Sequence, residues 1–78
     1  MKTTDYFRFR RRRKDRAWIR DEWIERVIAN PLRRQVQIDR RIRLWGAVPE
    51  AHGQYLRVIL LEDGETVHNA FFDRDFRP

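Results

Sequence analysis

The run Tyr55-Leu56-Arg57-Val58-Ile59-Leu60-Leu61-Glu62-Asp63-Gly64-Glu65-Thr66-Val67-His68-Asn69-Ala70-Phe71-Phe72 sets two apolar segments on either side of an Asp-Gly step. Such a step is a strong short-range signal for a β-hairpin, because a two-residue turn needs positive φ and Asp, Asn and Gly adopt it at least cost. A turn at Asp63-Gly64 places Glu62 opposite Glu65. Counting outward, Leu60 pairs with Val67, Ile59 with His68, Val58 with Asn69, Arg57 with Ala70, Leu56 with Phe71 and Tyr55 with Phe72. Cross-strand partners share a face. One face of this hairpin then carries Leu56, Val58, Leu60, Val67, Asn69 and Phe71. The other carries Tyr55, Arg57, Ile59, Leu61, Thr66, His68, Ala70 and Phe72, so that a guanidinium and an imidazole leave the same side.

Immediately upstream, Gln35-Val36-Gln37-Ile38 and Ile42-Arg43-Leu44-Trp45 alternate strictly and predict two more half-buried strands. A two-residue loop at Asp39-Arg40 mixes polar and apolar residues on both faces. A three-residue loop, Asp39-Arg40-Arg41, pairs Ile38 with Ile42, Gln37 with Arg43, Val36 with Leu44 and Gln35 with Trp45, and separates the faces cleanly. Gly46 to Gln54, with Pro49 and Gly53, connects the two hairpins.

Arg20 to Ala29 is the clearest helix: Ile19, Trp23, Ile24, Val27 and Ile28 recur on one side, and Asp21 and Glu22 sit where the helix dipole favours anions. Pro31 ends it. Closer to the N-terminus, Thr3 or Thr4 can cap a short helix that holds Tyr6 and Phe9 three residues apart, or Phe7 and Phe9 can alternate with Arg8 and Arg10 as an edge strand; the helix is favoured. Residues 1–16 form a basic N-terminal segment either way, because isolated guanidinium groups are too costly to bury. The expected fold is α+β: one domain over residues 1–78, with one or two N-terminal helices, the main one at 20–29, packed on one face of a four-stranded antiparallel meander at 34–73. The covered face is Val36, Ile38, Ile42, Leu44, Leu56, Val58, Leu60, Val67 and Phe71. Trp18 falls off the helical stripe and is read as packed under the preceding segment.

Eighteen Lys and Arg against twelve Asp and Glu give a net charge of +6 in 78 residues, and only Lys2 and Lys14 are lysines. Arginine offers a planar fork for phosphate oxygens and stacks on bases, so the bias favours a polyanionic partner. The competing explanation is codon usage in a GC-rich genome. With no Cys and only two His, neither a disulfide framework nor a zinc site is expected, and no cofactor is implied. No apolar run reaches the roughly 20 residues of a membrane helix and the charged start lacks the core of a signal peptide, which points to the cytoplasm and away from a membrane.

The uncovered sheet face is expected to carry Gln37, Arg43, Trp45, Tyr55, Arg57, Thr66, His68 and Phe72. His68 there suits a general acid or base, with Arg57 and Arg43 stabilising charge on a phosphodiester. Trp45 and Tyr55 suit stacking of unpaired bases, and Arg8, Arg10, Arg11, Arg12 and Arg13 suit phosphates. Such a set needs no metal if a 2′-hydroxyl is the nucleophile. The same face, with Ile59, Leu61 and Phe72, is equally apolar enough for a homodimer or partner interface. Arg43 and Arg57 can alternatively be neutralised by Glu65, Asp73 or Asp75.

The runs Ile28-Ala29-Asn30-Pro31, Gln37 to Trp45, and Tyr55 to Arg74 resemble a widespread family of short, uncharacterised bacterial proteins. That family has Asp-Gly-Arg at the first turn, so Arg40 stands here at its glycine position. In size, basic charge and helix-then-meander order the chain also resembles, more distantly, RelE-like toxins such as the BrnT group. That likeness implies a RelE-like fold, messenger RNA as substrate and a small acidic antitoxin as partner. The functional expectation is a toxin-like RNA-binding protein or metal-free endoribonuclease. The alternatives are a non-catalytic module for nucleic acid or an acidic partner, and a homodimeric interaction protein.

Overall fold

Three short helices precede a four-stranded antiparallel sheet of order β1-β2-β3-β4 in the computed structural model, which describes residues 1–78. The helices are α1 (Asp5–Arg10), α2 (Lys14–Ala17) and α3 (Asp21–Ala29); the strands are β1 (Arg33–Val36), β2 (Ile42–Val48), β3 (Gln54–Leu60) and β4 (Val67–Phe72). The α+β arrangement is thus the one the sequence predicts, with one helix more. Thr4 caps α1 by accepting the Phe7 N–H at 3.0 Å, which resolves the N-terminal segment as helix. No helix is long and apolar enough to cross a membrane.

Trp23, Ile24 and Val27 of α3, with Ile19 and Phe7, close over Ile42, Leu44, Leu56, Val58, Leu60, Val67 and Ala70 to make the main core. Gly46 lets α3 approach β2: a Cβ there would lie 2.9 Å from Val27 Cγ2.

Two registers differ from the expectation, for separate reasons. In the first hairpin Val36 pairs with Ile42, Gln35 with Arg43, Arg34 with Leu44 and Arg33 with Trp45, a slip of two residues. The loop is Ile38-Asp39-Arg40: the Arg40 N–H donates to Gln37 O, the Gln37 N–H donates to Arg41 O, and Arg40 takes φ 70°. This is a turn followed by a left-handed residue, the commonest three-residue hairpin loop. A left-handed conformation at a residue other than glycine costs about 1 kcal/mol, and Arg40 bears it here. A two-residue slip leaves every side chain on its expected face. It also carries Val36 and Ile38 beyond the reach of α3, so they are 54% and 105% exposed instead of buried.

In the second hairpin Leu60 pairs with Val67 as expected. Asp63 and Gly64 do not form a two-residue turn, however. Only Gly64 has positive φ, the Leu61 N–H donates to Thr66 O, and Asp63 caps the loop by accepting the Glu65 and Thr66 N–H groups and the Thr66 hydroxyl. A β-bulge follows between Ile59 and Leu60, after which Ile59 pairs with Asn69, Val58 with Ala70, Arg57 with Phe71 and Leu56 with Phe72. His68 is the extra residue. The bulge exchanges the two phenylalanines: Phe72 packs against the main core and Phe71 lies on the opposite side. It also takes Asn69 out of the apolar row in which uninterrupted pairing would have buried it.

The sheet has unlike edges. At β4 the N-terminal segment adds a parallel bridge between Thr3 and Val67, with the Thr4 N–H donating to Val67 O and the Val67 N–H donating to Lys2 O. At β1 every residue is exposed and no segment lies alongside.

Candidate nucleic-acid interface

With α3 on one side of the sheet, the other side is ruled by rows of paired residues. One row is Arg33, Trp45, Arg57 and Phe71; the next is Gln35, Arg43, Ile59 and Asn69, with His68 beside it in the bulge. Tyr55 lies beyond the first row, opposite Ala47.

Cations and rings alternate along the first row. The Arg33 guanidinium carbon is 5.0 Å from the Phe76 ring centre, Phe76 stacks on Trp45 at 5.2 Å, and Arg57 lies 5.5 Å from Trp45 and 5.3 Å from Phe71. Arg16, reaching round from α2, lies 5.1 Å over Phe71 and donates to Asn69 Oδ1 at 2.6 Å. Each cation–ring contact is worth about 0.5–1 kcal/mol at such sites. Tyr55 meets the edge of Phe76 at 5.0 Å. The tail after β4 therefore folds back and seals a second small core, in which Phe76 and Trp45 are each 6% exposed.

Asp73 holds this arrangement electrostatically. Its Oδ2 accepts the Trp45 indole N–H at 2.9 Å and lies 3.6 Å from Arg57, while Oδ1 accepts the Asp75 N–H. Burial pushes the carboxyl up, but these donors and the cation outweigh it, and the net shift is downward. Burial, then the neighbouring Arg43, loosens the Arg57 proton, although a guanidinium stays charged at neutral pH.

The expected site residues thus fall into distinct groups. Arg43 and Arg57 are diagonal neighbours on the open side. His68 is drawn to the β4 edge: its ring stacks on Tyr6 at 4.8 Å and its Nδ1 lies 3.2 Å from Thr4 Oγ1. Arg57 and His68 share no contact; the one answers to Asp73, the other to Thr4 and Tyr6. Thr4 Oγ1 also accepts the Phe7 N–H, so one hydroxyl serves both the cap of α1 and the imidazole. Trp45 stacks on Phe76, has Arg57 5.5 Å from its ring and is 6% exposed, so it offers no free surface to a base.

The arginine segment is also less free than its composition implies. Arg8 pairs with Asp5, Arg13 with Asp15 at 3.3 Å and Arg11 with Asp21 at 2.5 Å, while Arg10 leans over Tyr6 at 5.8 Å. Arg12 alone of the five is exposed without an acidic or aromatic partner. On the sheet, no ion pair includes Arg33 or Arg43. Gln37 Oε1, Arg43 Nε and Arg57 Nε are buried without any hydrogen-bond partner. Native proteins leave few such atoms, and three share this side of the sheet. The rings that remain exposed are Tyr6 at 44%, Phe9 at 66% and Trp18 at 46%, the last stacked on Phe72 instead of packed beneath the preceding segment. Sequence periodicity did not single out Phe76, and its only signal was a lone aromatic in a charged tail.

His68 supplies a pH signature. Burial, then Arg41, lowers its pKa below 6.5, so in the window just below 6.5 the unfolded chain binds more protons than the folded one and stability falls as pH falls. Melting temperature is expected to be higher at about pH 8 than at about pH 5.5, with the difference reduced in His68→Gln; an NMR titration of the imidazole should find its midpoint below 6.5.

Compared with protein-family models, with curated proteins and with solved structures, the chain matches none.

Proposed function

We propose that the chain binds single-stranded nucleic acid, RNA in the first instance, in the cytoplasm, through the side of the sheet that faces away from α3. The observation that carries this reading is the concentration of Arg33, Arg43 and Arg57 on that side, with no carboxylate paired to Arg33 or Arg43. Phosphates satisfy guanidinium groups in pairs, and Phe9, 66% exposed, offers a ring for stacking, whereas Tyr6 is engaged by His68 and Arg10. The likeness to RelE-like toxins makes RNA the first ligand to test and a small acidic antitoxin-like protein the first protein partner.

Binding of a fluorescent single-stranded oligonucleotide, followed by anisotropy across a salt series, tests the reading. Affinity is expected to fall with salt, and Arg43→Ala and Arg33→Ala are each expected to flatten the log–log slope by about 0.7. Arg12→Ala serves as a comparison on the helical segment. No binding at low salt, or a slope untouched by both sheet variants, sinks the proposal.

Cleavage is a second reading, favoured by an imidazole held neutral beside this face and with no hydrogen bond to its Nε2 within the protein. Against it stands the separate anchoring of Arg57 on Asp73, while the imidazole is held by Tyr6 and Thr4. Binding without cleavage is therefore the expected result, and RNA cut by the wild type but not by His68→Ala would reverse that order.

A further inference from the structure

We propose that β1 is the docking edge for a second copy of this chain, paired antiparallel with its counterpart about a two-fold axis through Gln35. In the β1–β2 ladder the Gln37 N–H donates to Arg41 O. Hydrogen-bonded and non-bonded pairs alternate in an antiparallel ladder, so Gln35 bonds to β2 while the amides of Arg34 and Val36 point away from it into solvent. An open edge with unpaired amides is a template for another strand.

The side chains say which strand fits. Pairing centred on Gln35 sets Arg34 opposite Val36 of the second copy and Gln35 opposite itself, with Arg33 level with Gln37 at either end. No two arginines face each other, although β1 and its flanks carry Arg33, Arg34, Arg40 and Arg41. Val36, 54% exposed in the single chain, lies on the α3 side of this seam, and Leu32 and Ile38, 59% and 105% exposed, flank it in sequence. This matching of a strand to itself is what an isologous interface requires, and a chain of this size is near the limit at which one core suffices. The inference stands apart from nucleic-acid binding, but it would make the arginine-bearing sides of two sheets continuous.

Sedimentation equilibrium tests it. The mass is expected to rise from 9.7 kDa toward twice that value with concentration, and to rise further with added salt, because two chains of charge +6 repel until screened. Val36→Pro removes an outward N–H without touching the β2 ladder and is expected to weaken association about tenfold or more. Gln35→Lys sets two ammonium groups face to face and is expected to weaken it several-fold, whereas Gln54→Lys, with the same added charge away from β1, is not. Thermal unfolding at low concentration checks that each variant still folds. A single-chain mass at every concentration and salt would overturn the proposal, as would association indifferent to both β1 variants. So would an alternating Glu-Val peptide that shifts the Arg34 and Val36 amide resonances of a chain that stays monomeric, since the edge would then take an acidic strand.

Discussion

Asp73→Ala is expected to lower the free energy of unfolding by about 3 kcal/mol, the range seen when one member of a buried charge pair is removed. The carboxylate serves two donors at once, the Trp45 indole N–H and the Arg57 guanidinium, and its side chain is only 14% exposed. Alanine leaves both donors enclosed by Phe76, Phe71 and Trp45 with nothing to accept from them, and the loss of desolvated partners costs more than the hydrogen bonds themselves are worth. Asp73→Asn keeps an acceptor for the indole but drops the charge, so about half that loss is expected from it. Urea unfolding followed by tryptophan fluorescence measures both. A change below about 0.5 kcal/mol in the alanine variant would show that the second core is held by ring stacking alone.

Gly46→Ala is expected to cost about 2 kcal/mol, by crowding. The new methyl would lie 2.9 Å from Val27 Cγ2 and 3.4 Å from Val27 Cβ and Cγ1. Val27 is 3% exposed at the contact between α3 and the sheet, beside an open cleft lined by Asn30, Leu32 and Pro49. It must shift toward that cleft, or the helix must lift from β2, and each move loosens the packing of α3 on the sheet. Val27→Ala alone should also destabilise, through the cavity it leaves. The two together are expected to be less harmful than the sum, because the methyl added on β2 occupies part of the volume vacated on α3. Strict additivity in that double-mutant cycle would place the strain elsewhere.

The α3 stripe, the strand order and the Leu60–Val67 pairing were legible in the sequence because each rests on periodicity over several residues. The two register errors have different origins. Apolar alternation has a period of two, so it cannot distinguish the pairing of Ile42 with Ile38 from its pairing with Val36; only the left-handed demand at Arg40 could. The bulge at His68 was signalled by a cost: regular pairing put Asn69 in a row with Leu56 and Val58, and one extra residue removes it. Two adjacent phenylalanines hid the exchange, since either satisfies the core. The candidate site was half visible. Arg43 and Arg57 emerge on the open side as expected, but Phe76 and Asp73 lie in a charged tail without periodicity, and it is they that enclose Trp45 and take up the charge of Arg57.

The unlike edges of the sheet limit what self-association can build. Lys2 to Thr4 already occupy the outward groups of Val67, Asn69 Oδ1 accepts the Ala70 N–H, and α1 lies against β4, so this edge is covered. With one edge stopped within each molecule, strand pairing at β1 consumes the only template that remains. Assembly by this route terminates after a single step, and the protein is spared the end-to-end propagation into fibrils that two open edges would permit.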